Sequence, residues 1–239
     1  MKCPHCDFKL HRHLPSTRMD ETRLVETRAK GVYWDGERLL TRNSTPGSRI
    51  YGERLFVFEG NEYREWSPSR SKLGAYLRLG GLRSPFKEDS RVLYLGAASG
   101  TTASHVSDIV SKGTVYCVEI SPRSFRDLVK VCERRRNMVP ILGDATKPQD
   151  FSFLVERVDI VYQDIAQKNQ AAIFAKAVRA FGARSGMLSL KARSEDVTRE
   201  PKEIFEEARS QLIKNGFEVL DVMELEPFEK DHAMIVVSA

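Results

Sequence analysis

Four cysteines in 239 residues are too few for a disulfide framework in a chain of this size. No apolar run approaches the roughly 18–20 residues that a membrane span needs, so no membrane partner is expected. The N-terminus carries charge but no apolar h-region, and a secretory signal is not expected either. There is no internal repeat and no low-complexity tract, and 15 glycines with 10 prolines are no surplus. Collagenous and disordered chains are thereby excluded. Charge of one sign is also missing: 38 Lys+Arg against 33 Asp+Glu leaves +5, which suits a polyanionic partner without requiring one. What is present, 41% hydrophobic, 30% charged and 9% aromatic residues, describes a soluble globular protein of one or two domains. A chain this long buries about 70–75% of its unfolded surface and needs no staples.

Cys117 and Cys132 stand among apolar neighbours and read as buried free thiols of a reducing, cytoplasmic setting. Cys3-Pro4-His5-Cys6, followed by His11 and His13, offers the ligand types zinc takes. The second pair is badly spaced for a finger, however, and no core surrounds it. Met19 also precedes the first convincing element. Residues 1–18 are therefore read as a flexible extension, with a misplaced start as the alternative, and no metal site is assigned.

From 19 to 66 the pattern predicts a small antiparallel β domain. Val32-Tyr33-Trp34 runs into the turn signal Asp35-Gly36, Leu39-Leu40 follows, and Ile50-Tyr51 pairs with Leu55–Phe58 before Gly60-Asn61 and Tyr63. Its aromatics read as core rather than as a binding platform. Ser67-Pro68 marks a boundary, and from 67 to 239 strands alternate with helices. Strands are expected at Val92–Leu95, Val115–Ile120, Val139–Leu142, Val158–Tyr162 and Met187–Leu190. Helices are expected from Thr102 to Val110, Pro122 to about Arg136, Gln170 to Phe181 and Pro201 to Asn215. Such β-α repetition predicts an α/β fold with a parallel sheet covered on both faces. The last two strands, Phe217–Leu225 and Ala233–Val237, have no helix between them and predict an antiparallel hairpin at one edge.

Ligands of such sheets bind beyond the carboxyl ends of the strands. The first loop there is Leu95-Gly96-Ala97-Ala98-Ser99-Gly100-Thr101-Thr102. Ala98 and Thr101 occupy the second and third glycine positions of a dinucleotide fingerprint, which argues for a smaller nucleoside cofactor. Glu119 ends the second strand, where a carboxylate accepts both ribose hydroxyls. Asp144, in Gly143-Asp144-Ala145, ends the third and can receive an adenine amino group. The fourth ends in Gln163-Asp164-Ile165-Ala166-Gln167. This ordered set is the layout of a Rossmann-like S-adenosyl-L-methionine-dependent methyltransferase; solvated loop acids on an ordinary α/β domain are the alternative.

Longer strings are similar to a known family. Val92–Thr102 with Ser104-His105-Val106-Ser107-Asp108 resembles fibrillarin, as do Val118-Glu119-Ile120-Ser121-Pro122-Arg123-Ser124, Asp164-Ile165-Ala166-Gln167 and Asp231-His232-Ala233. Pro46-Gly47, Tyr51-Gly52-Glu53, Trp66 and Pro68-Ser69-Arg70-Ser71-Lys72-Leu73 are similar too. The resemblance runs from about Gly31 to Val237, lacks the Gly/Arg-rich tract of nucleolar members, and so points to the archaeal type. It implies 2′-O-methylation of rRNA and tRNA directed by box C/D guide RNA, with a Nop-family scaffold protein and a kink-turn-binding ribosomal-type protein as partners. It implies cofactor contacts at Thr101, Thr102, Glu119, Ile120, Asp144, Ala145 and Asp164 to Gln167, beside the Gly96-Ala97 turn. It also implies a catalytic group of Lys72, Asp164, Lys191 and His232. Ile120 departs from the phenylalanine frequent at that place, and residues 1–18 inherit nothing.

A sulfonium methyl is already activated, so alignment with the nucleophile is the main task, and alignment can contribute about 7–11 kcal/mol. A ribose hydroxyl must also lose its proton. Lys191 is the candidate acceptor, Asp164 is assigned to orienting the lysines and hydroxyl, and His232 to orienting a partner. Arg123, Arg126, Lys130, Arg134, Arg135 and Arg136, with Arg70, Lys72, Arg83 and Lys87, could track RNA phosphates or form ordinary solvated faces. No RRM signature supplies sequence choice, which leaves that to a guide. Two other readings stay open: methylation of a protein glutamine in the same pocket, and a cofactor-independent RNA-particle scaffold.

Overall fold

The computed structural model describes residues 23–239; the Cys3, Cys6, His11 and His13 group lies outside them. Five short strands come first: β1 (Val25–Glu26), β2 (Val32–Trp34), β3 (Leu39–Arg42), β4 (Leu55–Phe58) and β5 (Asn61–Glu65). They pair antiparallel in the order β1-β2-β3-β5-β4. The Asp35-Gly36 turn joins β2 to β3, with Asp35 Oδ1 accepting the N–H groups of Glu37 and Arg38 at 3.0 and 2.7 Å. Between β4 and β5, Glu59 and Gly60 both take positive φ, 49° and 76°, the backbone sense that fits a tight hairpin. The expected pairing of Ile50-Tyr51 with β4 does not form. The Glu53 carboxylate accepts the N–H of Ile50 at 3.0 Å and of Tyr51 at 2.9 Å, which curls that segment around an acid.

A seven-stranded sheet follows, built from β6 (Arg91–Leu95), β7 (Thr114–Glu119), β8 (Met138–Leu142), β9 (Ile160–Gln163), β10 (Ser185–Lys191), β11 (Glu218–Glu224) and β12 (His232–Ser238). The order is β11-β12-β10-β9-β6-β7-β8. Strands β6 to β10 are parallel to their neighbours among themselves, and β12 runs antiparallel to both β10 and β11. The helices are α1 (Lys72–Arg78), α2 (Thr101–Ile109), α3 (Pro122–Cys132), α4 (Gln170–Phe181), the single turn α5 (Ala192–Glu195) and α6 (Pro201–Lys214). The α/β sheet with its edge hairpin is the architecture the sequence predicts.

Alternation along the strands divides the core. Leu93, Leu95, Leu188 and Ile235 face Phe174, Phe205 and Leu212 of α4 and α6. Val92, Tyr94, Met187 and Met234 face Tyr76, Val106 and Leu128 of α1 to α3, together with Val32, Leu39 and Trp66 from the N-terminal segment. A period of two on a sheet covered on both faces produces this split.

The small sheet is also tied to α2 by buried charge. Arg64 of β5 meets Asp108 at 3.0 Å and Glu53 at 2.7 Å, and Arg135 meets the other oxygen of Asp108 at 2.6 Å, all of these side chains being fully buried. This pull explains why α3 stops at Cys132 and not near Arg136. The chain turns there, with the Arg134 and Arg135 N–H groups donating to Val131 and Cys132, and the Arg135 guanidinium enters the interior.

Candidate active site

The carboxyl ends of β6, β7, β8, β9 and β10 and the start of β12 converge on one rim. Gly96 opens the first loop at φ 81°. A Cβ there would lie 2.4 Å from the Asp164 carbonyl oxygen, so the ends of β6 and β9 meet closely only because no side chain intervenes. Ala97 is buried. Ala98 holds a left-handed φ of 48°, and its N–H donates to Glu119 Oε2 at 2.8 Å. Gly100, at φ 89°, leads into α2. Thr101 is half-buried at the first turn of that helix.

Glu119 is buried, and its Oε1 accepts the Ser121 N–H at 2.8 Å. Each carboxylate oxygen thus spends one lone pair on the backbone and keeps another for a hydroxyl donor. Beside it Ile120 is 62% exposed, an apolar side chain open to a flat ligand face. Asp144 Oδ1 accepts both the N–H and the hydroxyl of Thr146, at 2.9 and 2.8 Å. Those bonds, the N–H first, hold its carboxyl below the usual range despite partial burial, so it is an ionised acceptor at neutral pH. Ala145 is buried next to it. Ile165 packs against the core, Ala166 is exposed and Gln167 half-buried.

Lys72 comes from the first turn of α1, Asp164 from the end of β9, and Lys191 from the end of β10. The Asp164 carboxylate bridges the two amines: Oδ1 lies 2.9 Å from Lys191 Nζ and Oδ2 lies 3.6 Å from Lys72 Nζ. His232 faces Lys191 across the β10–β12 pair. Its Nδ1 lies 2.6 Å from the Lys230 carbonyl; a carbonyl only accepts, so Nδ1 carries the proton and Nε2 keeps a lone pair. Burial, then the charges of Lys72 and Lys191, lower the His232 pKa, and the ring is neutral at neutral pH. All four residues expected to act together are brought to one place.

Sequence reasoning missed two residues of this site. Ser71 caps α1, its Oγ accepting the Gly74 N–H at 3.1 Å, and it receives the Thr102 hydroxyl at 3.0 Å. Thr102 therefore turns its hydroxyl toward the helix that bears Lys72, linking cofactor loop and amine. A serine just before a helix is a capping signal, so Ser71 was findable; Gln170, whose side-chain amide bonds to the Lys191 backbone, has no such signal. The basic stripe needs correction: Arg135 is buried on Asp108 and presents nothing to phosphates, and Lys130 is paired with Asp127 at 2.8 Å. Arg70, Arg83, Lys87, Arg123, Arg126, Arg134 and Arg136 are exposed.

A fibrillarin family model matches residues 24–239. The fibrillarin-like rRNA/tRNA 2′-O-methyltransferase of Methanopyrus kandleri is 53% identical over 215 residues, covering 87% of this chain and 93% of that one. The crystal structure of Aeropyrum pernix fibrillarin in complex with natively bound S-adenosyl-L-methionine is 48% identical with a TM-score of 0.82, over 90% of this chain and 97% of that one. The crystal structure of a fibrillarin/Nop5p complex matches at 42% identity and TM-score 0.80, over 87% and 97% of the respective chains. With its loops, acids and amines assembled as described and the match running through to its last residue, the chain belongs to the fibrillarin family.

Proposed function

We propose that this protein transfers the methyl group of S-adenosyl-L-methionine to ribose 2′-hydroxyls of rRNA and tRNA. Box C/D guide RNA chooses the site, within a particle completed by a Nop-family scaffold and a kink-turn-binding ribosomal-type protein. The observation that carries the reading is the Asp164 carboxylate set between Lys191 and Lys72, at 2.9 and 3.6 Å, on the rim of the glycine loop. The relatives' 2′-O-methyltransferase activity, the cofactor bound to the Aeropyrum protein and the Nop5p bound to another support it.

The residues present fit the cofactor. The bare Gly96 lets backbone come close, Glu119 retains acceptor capacity for ribose hydroxyls, ionised Asp144 offers Oδ2 to an amino donor, and Ile120 offers an apolar face to a purine. When bound, the cofactor supplies an electrophilic methyl on a sulfonium. The chain's own task is to hold the nucleophile in line with it. Asp164 fixes the direction of both amines; the Lys72 amine gathers negative charge from an approaching hydroxyl oxygen, and the Lys191 amine, in its neutral form, accepts the proton that the hydroxyl loses, with the His232 ring beside it. The exposed arginines supply salt-dependent, sequence-blind contacts to phosphates.

Residues 19–66 serve in this reading as a small β domain and 67–239 as the methyltransferase domain. A cytoplasmic setting accords with the buried free thiols Cys117 and Cys132. Reconstitution with guide RNA, scaffold, kink-turn protein and labelled cofactor tests the proposal. The modified nucleotide should move when the guide sequence is changed, and a 2′-O-methyl blocks nuclease cleavage at its own nucleotide. Site-selective methylation without a guide, or label appearing on protein glutamine, contradicts it.

A further inference from the structure

The ladder between β9 and β10 ends early. The parallel register runs from Ser185↔Ile160 to Leu188↔Gln163, yet β10 continues to Lys191. Strand β9 does not follow: Gln163 is its last residue, and Asp164, still tied to β6 by its N–H at 2.9 Å from the Leu95 carbonyl oxygen, turns its carboxylate to the two amines. The last residue of β10, the one that bears an amine, is left without a backbone partner on that side. Gln170, the first residue of α4 and fully buried, fills the gap. Its Oε1 accepts the Lys191 N–H at 3.0 Å and its Nε2 donates to the Lys191 carbonyl at 3.0 Å. One primary amide thus does what an adjacent strand residue does, and both of its polar ends are dictated by the peptide it faces.

The root of this side chain is held as well. The Gln170 N–H donates to Glu195 Oε1 at 2.7 Å, and its carbonyl accepts Gln163 Nε2 at 2.8 Å. Glutamine loses considerable rotamer freedom when buried; here it is anchored at both ends of its reach. We propose that Gln170 is a positioning residue that fixes the Lys191 peptide so that the amine stays on Asp164 and faces His232. Gln170 touches neither substrate nor cofactor in this account and acts through Lys191. The proposal rests on the reading of Lys191 as part of the catalytic group.

The test uses full-length protein in the reconstituted guide-directed assay. Gln170→Leu keeps the volume and removes both hydrogen bonds. Misplacement of a reacting group by about 1 Å can cost on the order of a hundredfold in rate. We expect kcat to fall by about tenfold to a hundredfold, with S-adenosyl-L-methionine affinity unchanged within about twofold. Phe174→Leu serves as the stability control, since it loosens α4 against the sheet near Gly186 without touching the clamp, and should leave kcat as it was. In a Lys191→Met background, Gln170→Leu should have no further effect. Gln170→Met, which fills the same space with an unbranched chain and no amide, should lose kcat as Leu does; it stands in if the Leu variant does not fold. Wild-type kcat in the Gln170 variants, a loss matched by Phe174→Leu at equal stability, or a loss additive with Lys191→Met overturns the positioning role. Undiminished transfer by Lys191→Met alone instead overturns the reading beneath it.

Discussion

Lys191 and His232 stand directly opposite one another across the antiparallel β10–β12 pair, and both backbone polar groups of Lys191 turn away from that pair to Gln170. They therefore form a non-hydrogen-bonded pair, the kind that brings facing side chains closest. With Asp164 Oδ1 at 2.9 Å from Lys191 Nζ, three chemically different groups share one end of the sheet. Strand register sets Lys191 against His232, and Asp164 reaches them from the first position after β9.

Asp164→Asn keeps the shape and removes the charge between the two amines. Single-turnover methyl transfer should fall by about a hundredfold or more, as when one preorganised electrostatic contact is lost. A rate within a few-fold of wild type contradicts the orienting role of the carboxylate.

Gly96→Ala should harm both fold and cofactor binding. Its Cβ would meet the Asp164 carbonyl oxygen at 2.4 Å, a backbone atom, whereas Gly100→Ala would meet Leu128 Cδ1 at 3.1 Å, the end of a flexible side chain. Both carry the cost of a positive φ, of order 1–3 kcal/mol. Urea titration should show the larger loss at Gly96, and cofactor titration a loss of affinity at least as large. Equal behaviour of the two variants contradicts the close approach of β6 and β9.

Much of this site was legible because its markers are local. Glycines after a strand, acids at successive strand ends and a period of two or 3.6 depend on neighbours in sequence, and they located Gly96, Glu119, Asp144 and Asp164. Lys72, Lys191 and His232 come from three distant segments, and only a family resemblance joined them to Asp164. The Arg64–Asp108–Arg135 cluster, the Gln170 clamp and the curl of Ile50-Tyr51 around Glu53 were not legible. Each is a polar side chain whose partner is set by tertiary packing, and a polar residue in sequence looks solvated whether or not it ends up buried. Arg135 shows this best: it reads as part of a basic face and lies in the core.

Asp108→Asn should be among the most destabilising single changes in the chain. It leaves the buried Arg64 and Arg135 facing each other with their shared countercharge gone, and breaking a buried pair from one side costs about 3–5 kcal/mol. Arg135→Met should cost less, because Asp108 keeps Arg64. Equilibrium unfolding in urea checks the order, and a smaller loss for Asp108→Asn than for Arg135→Met contradicts it.

His105 predicts a pH dependence of stability. Burial first, then the charges of Arg64 and Arg135, push its pKa well below the ordinary value, with Tyr51 and Thr41 as ring partners at 2.8 Å. The unfolded chain binds a proton near pH ~6.5 and the folded chain does not. The contribution is therefore complete above that pH and is lost as pH falls, by up to about 1.4 kcal/mol per pH unit. His105→Gln should lack this component, so its stability difference from wild type should shrink between about pH 7 and about pH 5.5. His232 titrates in both proteins and cancels. Parallel pH curves contradict a neutral, buried His105.

The most direct test of the central claim pairs two measurements on Lys191→Ala: calorimetric binding of S-adenosyl-L-methionine and single-turnover methyl transfer to guided RNA. Affinity should stay within about twofold of wild type, and the transfer rate should fall by about a hundredfold or more. Transfer at the wild-type rate, or loss of transfer explained wholly by lost cofactor binding, contradicts it.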